Sequence, residues 1–532
     1  MWTLVSFLLF TGLVAVVSWL KTRGSDRTTA DGYFLGGRSL RWYFIGGSLL
    51  LTNLSSEQMV GLNGNAYTNG MVVMAWEVVA AVTMVFMALY MLKEYLRRGI
   101  ATTPDFVEQR FDRGVRNIFT AASLFGMIFL VMPFILYSGA LALNAIFQTE
   151  ELLGLSEGQS LLLMIVLTGV VGSIYAIGGG LRAVAVSDTI NGVGLFIGGL
   201  LVPGFALVAL GDGSFLEGVD TLTSRAPERL NPVGDEDADV PFSTLFTGML
   251  YINFAYWCTT QYIIQRTLAS GSLEQGQKGI LFAATMKLWG PLYLVLPGII
   301  AWHLLGPDLA KGDDAYPDLV QQVLPGWLAG FFGAVLFGAV LSSFNSTLNS
   351  AATIFSLNVY KPLRKTVGES ELIAAGKVFG VVIALASICA APFISKSGEG
   401  LFNLMKQLGS IFCALPVVIL VGMFNPKVPA IAAKVAFFVG GILYIVLSFV
   451  LDNHVFGLEV HWLHTLAFCA AVPTAIMLVW GHLQPVTVQE PLTDSGTSRV
   501  DLKPWRFALP FGAFVLVAVV GVYLGLYWIG QG

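Results

Sequence analysis

Charged side chains are scarce in this sequence. Asp, Glu, Lys and Arg make up 12% of its 532 residues, about half the share found in a soluble globular domain, and the mean hydropathy is +0.74. That excludes a large soluble domain, and no stretch of the chain reads as one. Cysteine and histidine are scarce too, with four and five residues. Cys258, Cys389, Cys413 and Cys469 lie in apolar segments without metal-ligand spacing, so they read as small core residues. The histidines form no HExxH or similar pair, and there is no nucleotide-binding loop, GxSxG elbow or kinase signature. A membrane enzyme or a sensor therefore has no catalytic constellation or signalling domain to rest on. Nothing points to nucleic acid.

What the chain does have is apolar length. Windows of ~20 apolar residues recur throughout, and about fourteen spans can be drawn. They fall near residues 2–20, 42–65, 71–92, 118–147, 160–177, 184–210, 242–264, 279–305, 326–359, 374–393, 401–424, 431–451, 461–482 and 507–529. An amphipathic connector, 100–117, carries Pro104 and the run Glu108, Arg110, Asp112, Arg113; such a segment suits a membrane surface. The acidic, Pro-containing stretch 211–240 reads as a solvated external loop. Residues 484–500 are polar and rich in Pro and Thr, and read as a cytoplasmic linker.

Positive charge alternates sharply between loops. All but six of the 29 Lys and Arg residues lie in alternate loops, starting with Lys21, Arg23, Arg27, Arg38 and Arg41 and including Arg182 and Arg266. The opposite loops hold Arg225, Arg229, Lys311 and Lys396, and Lys287 and Lys406 fall inside spans. By the positive-inside rule the cation-rich side is cytoplasmic and both termini lie outside. Met1 to Leu20 lacks a basic leader and precedes a basic loop, so it reads as a membrane helix rather than a signal peptide.

The stretch Gly46 to Asn65, GGSLLLTNLSSEQMVGLNGN, is apolar enough for a bilayer yet interrupted by Asn53, Ser55, Ser56, Glu57 and Gln58. Irregular backbone at membrane depth is tolerated where it faces protein or a water-filled cavity. A helix broken there offers carbonyls to a cation and amides to a polar solute. A second polar, aromatic interruption, Tyr251 to Trp257, falls five spans later. Two interrupted helices at matching places in two groups of five are the pattern of an inverted-repeat secondary transporter. In Gly333 to Thr353, Ser342, Ser346 and Asn349 share a helical face with Ala339, and Ser343 and Thr347 lie beside it. Such neutral oxygens suit Na+, although hydroxyls also serve as packing glue between membrane helices.

Four runs carry a resemblance: DGYFLGGRSLRWYFIGGSLLLTNLSSEQMVG, YAIGGGLRAVAVSDTINGVGLFIGG, QYIIQRTLASGSLEQGQKGILFAA and SSFNSTLNSAATIFSLNVYKP. In this order, over roughly residues 31–425, they resemble the sodium:solute symporter family, most of all its bacterial sodium/sugar members. The resemblance implies an all-α polytopic fold of about fourteen helices with a LeuT-like five-plus-five core. It also implies solute uptake driven by Na+. The corresponding division is an N-terminal peripheral helix (1–20), a first repeat (42–210), the acidic external loop (211–240), a second repeat (241–424) and C-terminal peripheral helices with the cytoplasmic linker (425–532).

By the same resemblance, the sodium site uses the backbone carbonyls of Leu51, Leu54 and Ala339 and the hydroxyls of Ser342 and Ser343. A second sodium, bound in some members, corresponds to Asp188, Asn345 and Ser346. Asn345 departs from the hydroxyl expected there, and Asp188 has a structural alternative in pairing with Arg182. The sugar positions correspond to Gln58, Glu77, Asn253 and Lys287, gated by Tyr256 with Trp76 and Trp257 beside it. A sugar hydroxyl both donates and accepts, so amides, a carboxylate, an ammonium and an aromatic face make a coherent site. The alternative for Glu77 and Lys287 is a buried pair that only locks the bundle. Ala80 stands where a small hydroxyl residue is expected, and a glutamine expected nearby falls among Met405, Lys406 and Gln407. These departures leave symport of another organic solute, such as a sialic acid, an inositol or an amino acid, beside the sugar. With an acid, Lys287 would meet the carboxylate.

Overall fold

The chain is helical throughout, and its helices are arranged around the two interruptions. The computed structural model describes residues 2–24, 26–364, 366–396, 401–455, 457–486 and 500–531. Most of the expected linker 484–500 lies outside the described residues. Among those described, nine helical runs are long and apolar enough to cross a bilayer, and eleven when two bent pairs are counted as spans. The pairs are Leu273–Lys287 with Pro291–Leu305, bent by 47°, and Leu404–Phe412 with Ala414–Phe424, bent by 48°.

The run Glu157–Leu210 has 54 residues, about 80 Å of helix, more than twice a hydrocarbon core of ~30 Å. It breaks at Gly180, whose φ of 66° and ψ of 179° are not helical. Separating the spans on either side of Gly180, and counting the two interrupted helices as spans of their own, recovers about the fourteen expected. Only glycine is at ease with the Gly180 dihedrals, and a Cβ there would also sit 2.9 Å from the Tyr33 carbonyl oxygen.

The first interruption follows helix Trp42–Asn53, where Leu54 leaves helical geometry at φ −80°, ψ 74°. A wide turn of π geometry, Glu57–Leu62, leads into helix Asn63–Asn69. Ser and Asn side chains compete for backbone partners, which favours such an ending. The second follows Gly248–Phe254: a π turn at Ala255–Thr259 and an extended Thr260 precede Gln261–Leu268. Helix Trp42–Asn53 packs against Glu157–Leu210 and Leu273–Lys287. At Gly46 a Cβ would meet Phe282 at 2.6 Å, and at Gly47 Thr189 at 2.9 Å, so both neighbours approach its backbone closely. Gly326–Ile354, the hydroxyl-bearing helix, lies along Glu157–Leu210.

Three features differ from the sequence expectation. The stretch 211–240 is not wholly loop: Phe215–Arg225 is a helix, capped by Ser214, whose Oγ accepts from the Glu217 amide, with Glu217 in its first turn and Arg225 in its last. Its short amphipathic signal was hidden by the acidic composition around it. The connector 100–117 is two helices, Thr103–Arg110 with a Thr102/Asp105 capping box, and Arg113–Phe125 with Asp112 as N-cap. Arg266, counted among the loop cations, is completely buried.

Because Gly180 combines a Gly-only backbone with a near neighbour, Gly180→Val should lower the thermal stability of the purified protein by about 1–3 kcal/mol. A thermal melt in detergent measures it, and an unchanged midpoint would contradict the strained turn.

Candidate functional site

At the first break two backbone amides abandon their helical partners. The Ser55 amide donates to the Asn53 carbonyl at 3.0 Å and the Gln58 amide to that of Ser55 at 3.1 Å. A regular helix would have sent them to Leu51 and Leu54, the two carbonyls singled out from the sequence. The hydroxyl helix faces this break. Ser343 Oγ donates to the Thr52 carbonyl at 2.9 Å, Thr52 Oγ1 and Ser346 Oγ lie 3.2 Å apart, and Ser346 Oγ donates to the Ser342 carbonyl at 2.5 Å. Ser342 Oγ is buried without a hydrogen-bond partner among the described residues. Freed carbonyls beside an unpartnered hydroxyl form the kind of neutral oxygen set a hard cation takes. Leu51, Leu54, Ala339, Ser342 and Ser343 are all buried and lie on the two helices that meet here.

Asp188 sits behind this junction, fully buried, and its partner is Arg266 rather than Arg182. Asp188 Oδ2 lies 3.6 Å from the Arg266 guanidinium and accepts from Ser48 Oγ at 2.5 Å. Arg266 Nε donates to Ser48 Oγ at 2.6 Å, and its other nitrogens donate to Ser346 Oγ and the Tyr262 carbonyl. Two of the residues expected at a second sodium, Asp188 and Ser346, are thus gathered around a fixed guanidinium. The third, Asn345, is buried with an unpartnered Oδ1. That oxygen would lie 3.2 Å from a Cβ placed on Gly172, so Asn345 faces the part of the kinked run before Gly180.

Beside the break, bordered by Thr52 and Ser343, is a cavity of about 250 Å³. Gln58, Glu77, Asn253, Lys287, Tyr256, Trp76 and Trp257 all line it, so the structure brings every expected solute residue to one space. Lys287 closes helix Leu273–Lys287. Its Nζ donates to Glu77 Oε2 at 2.6 Å and to Asn53 Oδ1, and lies 5.3 Å from the centre of the Trp257 ring. Glu77 reaches it because Gly290, in the bend after Lys287, has no side chain; a Cβ there would be 2.8 Å from that of Glu77. Asn253 spends its amide on its own helix, donating to the Met249 carbonyl at 3.0 Å. The Gln58 Oε1 and Glu57 Oε2 oxygens are buried without hydrogen-bond partners among the described residues. Buried acceptors in that state are costly unless a ligand or water supplies the donor.

Sequence reasoning names Asn53 and Glu57 only as part of the polar break, not among the solute residues, and misses Trp462. Asn53 and Glu57 belong to the polar run that marks the break, so position alone flags them. Trp462 comes from a peripheral helix and stacks on Trp76 at 6.2 Å with 19° between planes, a contact with no local signal. Met405 and Lys406 line the cavity, whereas the Gln407 carbonyl accepts from Tyr444 Oη at 3.2 Å. Ala80 is buried, and the Thr83 hydroxyl donates to its carbonyl at 2.9 Å.

The cavity reaches past Tyr256 to Thr103 and Gln261, at the end of the bundle that carries the basic connector. At the opposite end Gly64 lies against Gly312, where a Cβ would be 2.7 Å from backbone, and Tyr67 Oη donates to the Gly306 carbonyl at 2.6 Å.

The profile of the sodium:solute symporter family matches residues 33–440. An uncharacterized symporter of Escherichia coli K12, YidK, is 47% identical over 98% of this chain and 90% of its own length. A sodium/glucose cotransporter of Vibrio parahaemolyticus is 33% identical over 78% and 79%. Among solved structures, a Na+-coupled sialic acid symporter in a substrate-bound, outward-open state superposes with a TM-score of 0.75 at 20% identity, covering 92% of this chain and 99% of that one. With its interrupted helices, its multi-pass LeuT-like fold and Na+ as coupling ion, the chain belongs to the sodium:solute symporter family.

Proposed function

We propose that this symporter carries a sugar, a hexose such as glucose or galactose, together with Na+ across a bacterial inner membrane, with both termini outside. The observation that carries the reading is the cavity itself: an amide, a carboxylate, an ammonium and aromatic faces share one space of about 250 Å³ that borders the oxygen-rich junction at Thr52 and Ser343. Na+ would sit between the Leu51, Leu54 and Ala339 carbonyls and the Ser342 and Ser343 hydroxyls. The sugar would accept from and donate to Gln58, Glu77, Asn253 and Lys287 while its apolar face lies on Tyr256 and Trp76. The 33% identity to a sodium/glucose cotransporter supports the substrate class. The clustering of basic residues at the connector end supports that end as cytoplasmic.

Alternating access follows from the geometry at the two ends. Release toward the connector end uses the cavity that already reaches Thr103. Loading from the other end requires Asn63–Asn69 to separate from the 312–314 turn. The break lets that half-helix move while Trp42–Asn53 stays packed. Coupling is then a matter of linkage: Na+ at the break and sugar in the cavity each favour the other's binding.

The deciding measurement is radiolabelled hexose uptake into proteoliposomes under an inward Na+ gradient, against a matched K+ gradient. Uptake above equilibrium only with Na+ is expected. No hexose uptake by protein that Na+ stabilises against heat would reject the sugar while keeping the ion site.

Two substitutions test the parts separately. The double variant Ser342→Ala, Ser343→Ala should lose Na+ dependence of uptake and of thermal stabilisation; Na+-driven uptake at the normal level in that variant would remove these hydroxyls from the ion site. Lys287→Met should leave the Glu77 carboxylate buried and unpaired, abolishing transport and costing about 3–5 kcal/mol of stability. The double variant Glu77→Gln, Lys287→Met should recover much of that stability but no transport. Recovery of transport as well would make the pair a lock for the bundle only.

A further inference from the structure

We propose that Glu57 binds the solute: its carboxylate accepts a hydroxyl hydrogen of the sugar, and so ties the sugar to the turn at which the first interrupted helix breaks. The inference rests on the sugar-symport reading and deepens it with a residue that the resemblance does not offer. Two carboxylates line the cavity, Glu57 and Glu77, and their states differ. Glu77 Oε2 accepts from Lys287 Nζ at 2.6 Å, and Lys287 donates to Asn53 Oδ1 as well. Glu57 is only 8% exposed, and its Oε2 is buried with no hydrogen-bond partner among the described residues. Gln58 Oε1, on the next residue, is in the same condition.

A buried acceptor without a donor is costly, and a carboxylate more so than an amide. Two such acceptors in one wall call for a solute that brings more than one donor. A polyhydroxylated ring does, and a hydroxyl given to a carboxylate makes the shorter, charge-assisted hydrogen bond. Lys287 and Lys406 set two ammonium groups against the two carboxylates of the same cavity, a balance that suits a donor without charge. Position adds a second consequence. Glu57 opens the turn Glu57–Leu62 that leads into Asn63–Asn69, just beyond Leu54, where the helix leaves helical geometry. Glu77 and Lys287 stand on Ala75–Phe86 and Leu273–Lys287, outside that turn. A hydroxyl held by Glu57 therefore grips the segment whose movement opens the outer end, which one held by Glu77 or Lys287 does not.

The test uses the full-length protein in proteoliposomes and whichever of radiolabelled glucose and galactose it takes up with Na+. Uptake is inhibited with the unlabelled hexose and with its monodeoxyfluoro derivatives, each of which replaces a different hydroxyl by fluorine and so removes one donor. At one ring position the inhibition constant should rise at least about tenfold over that of the parent hexose, the scale of one hydrogen bond to a charged group. In Glu57→Gln the parent hexose should weaken while that derivative does not, so that the ratio falls to within about threefold and the ratios at the other positions stay. Because Oε2 has no protein partner, Glu57→Gln should melt no lower than the wild type and keep its stabilisation by Na+. A variant that melts well below the wild type makes Glu57 a structural carboxylate and overturns the inference. An unchanged ratio in a stable variant does so too, as does a wild type that loses nothing at any position; all three leave the sugar reading standing. Uptake of neither hexose by Na+-stabilised protein overturns both.

Discussion

Inside a bilayer no water is at hand to pair a free amide or carbonyl, and this constraint organises the molecule. A helix that stops at Leu54 must place every group it releases against protein or a wet cavity. The solution is local and economical: Ser55 and Gln58 turn their amides to Asn53 and Ser55, and Ser343 on the facing helix satisfies the Thr52 carbonyl. What is left is the Ser342 hydroxyl, without a hydrogen-bond partner among the described residues, beside the Leu51 and Leu54 carbonyls from which those two amides have turned away. The close approach needed for this comes from small residues. Gly46 and Gly47 press the broken helix onto Phe282 and Thr189, which fixes its position and leaves the half beyond the break as the movable part.

Two buried ion pairs flank that helix, and it touches both. Asn53 accepts from Lys287, the partner of Glu77, while Ser48 bonds both Asp188 and Arg266. Residues 48 and 53 stand little more than one turn apart, so one rigid segment carries a contact to the solute side and a contact to the ion side. Arg266 itself lies in Gln261–Leu268, the half-helix beyond the second break. A shift of that half-helix moves a guanidinium relative to Ser346 and Asp188, both next to the proposed ion site. That is a physical route for linkage between the two ligands, made of packed side chains with defined partners rather than of distance alone.

Much of this was legible in the sequence, and what was not has a common cause. The membrane class, the spans and both interruptions follow from hydropathy and from polar residues in apolar runs, because those signals are local. Gln58, Glu77, Asn253 and Lys287, which the resemblance offers for a solute, line one cavity. Partners far apart in the chain were not legible. Asp188 finds Arg266 instead of nearby Arg182, Trp462 arrives from a peripheral helix to back Trp76, and Asn53 becomes a partner of Lys287 only once the helix ends there. At 405–407 a one-residue slip exchanges a thioether, an ammonium and an amide, and only the direction of the helix decides which faces the cavity. In 211–240 composition masked a short helix whose cap and end charges are ordinary.

The asymmetry between the two ends states what a transport cycle has to do. The cavity extends to the connector end, while at the other end backbone meets backbone between Gly64 and Gly312, and Tyr67 bonds the Gly306 carbonyl. The Gly64–Gly312 contact has no side chain that can swing aside, so opening there requires a segment to move as a body. Asn63–Asn69 is suited to it: seven residues long, separated from Trp42–Asn53 by an irregular stretch, and held to other elements at separate points, among them Asn63 Oδ1 accepting from the Gly298 amide at 2.9 Å and Asn65 donating to Asp239 at 2.8 Å. Its motion carries Gln58 and Glu57, in the turn that joins it to the break, and it alters the backbone that frees the Leu51 and Leu54 carbonyls. Opening to the far side and reshaping the proposed ion site are therefore one movement, which is why an ion bound at the break can bias which end of the cavity is open.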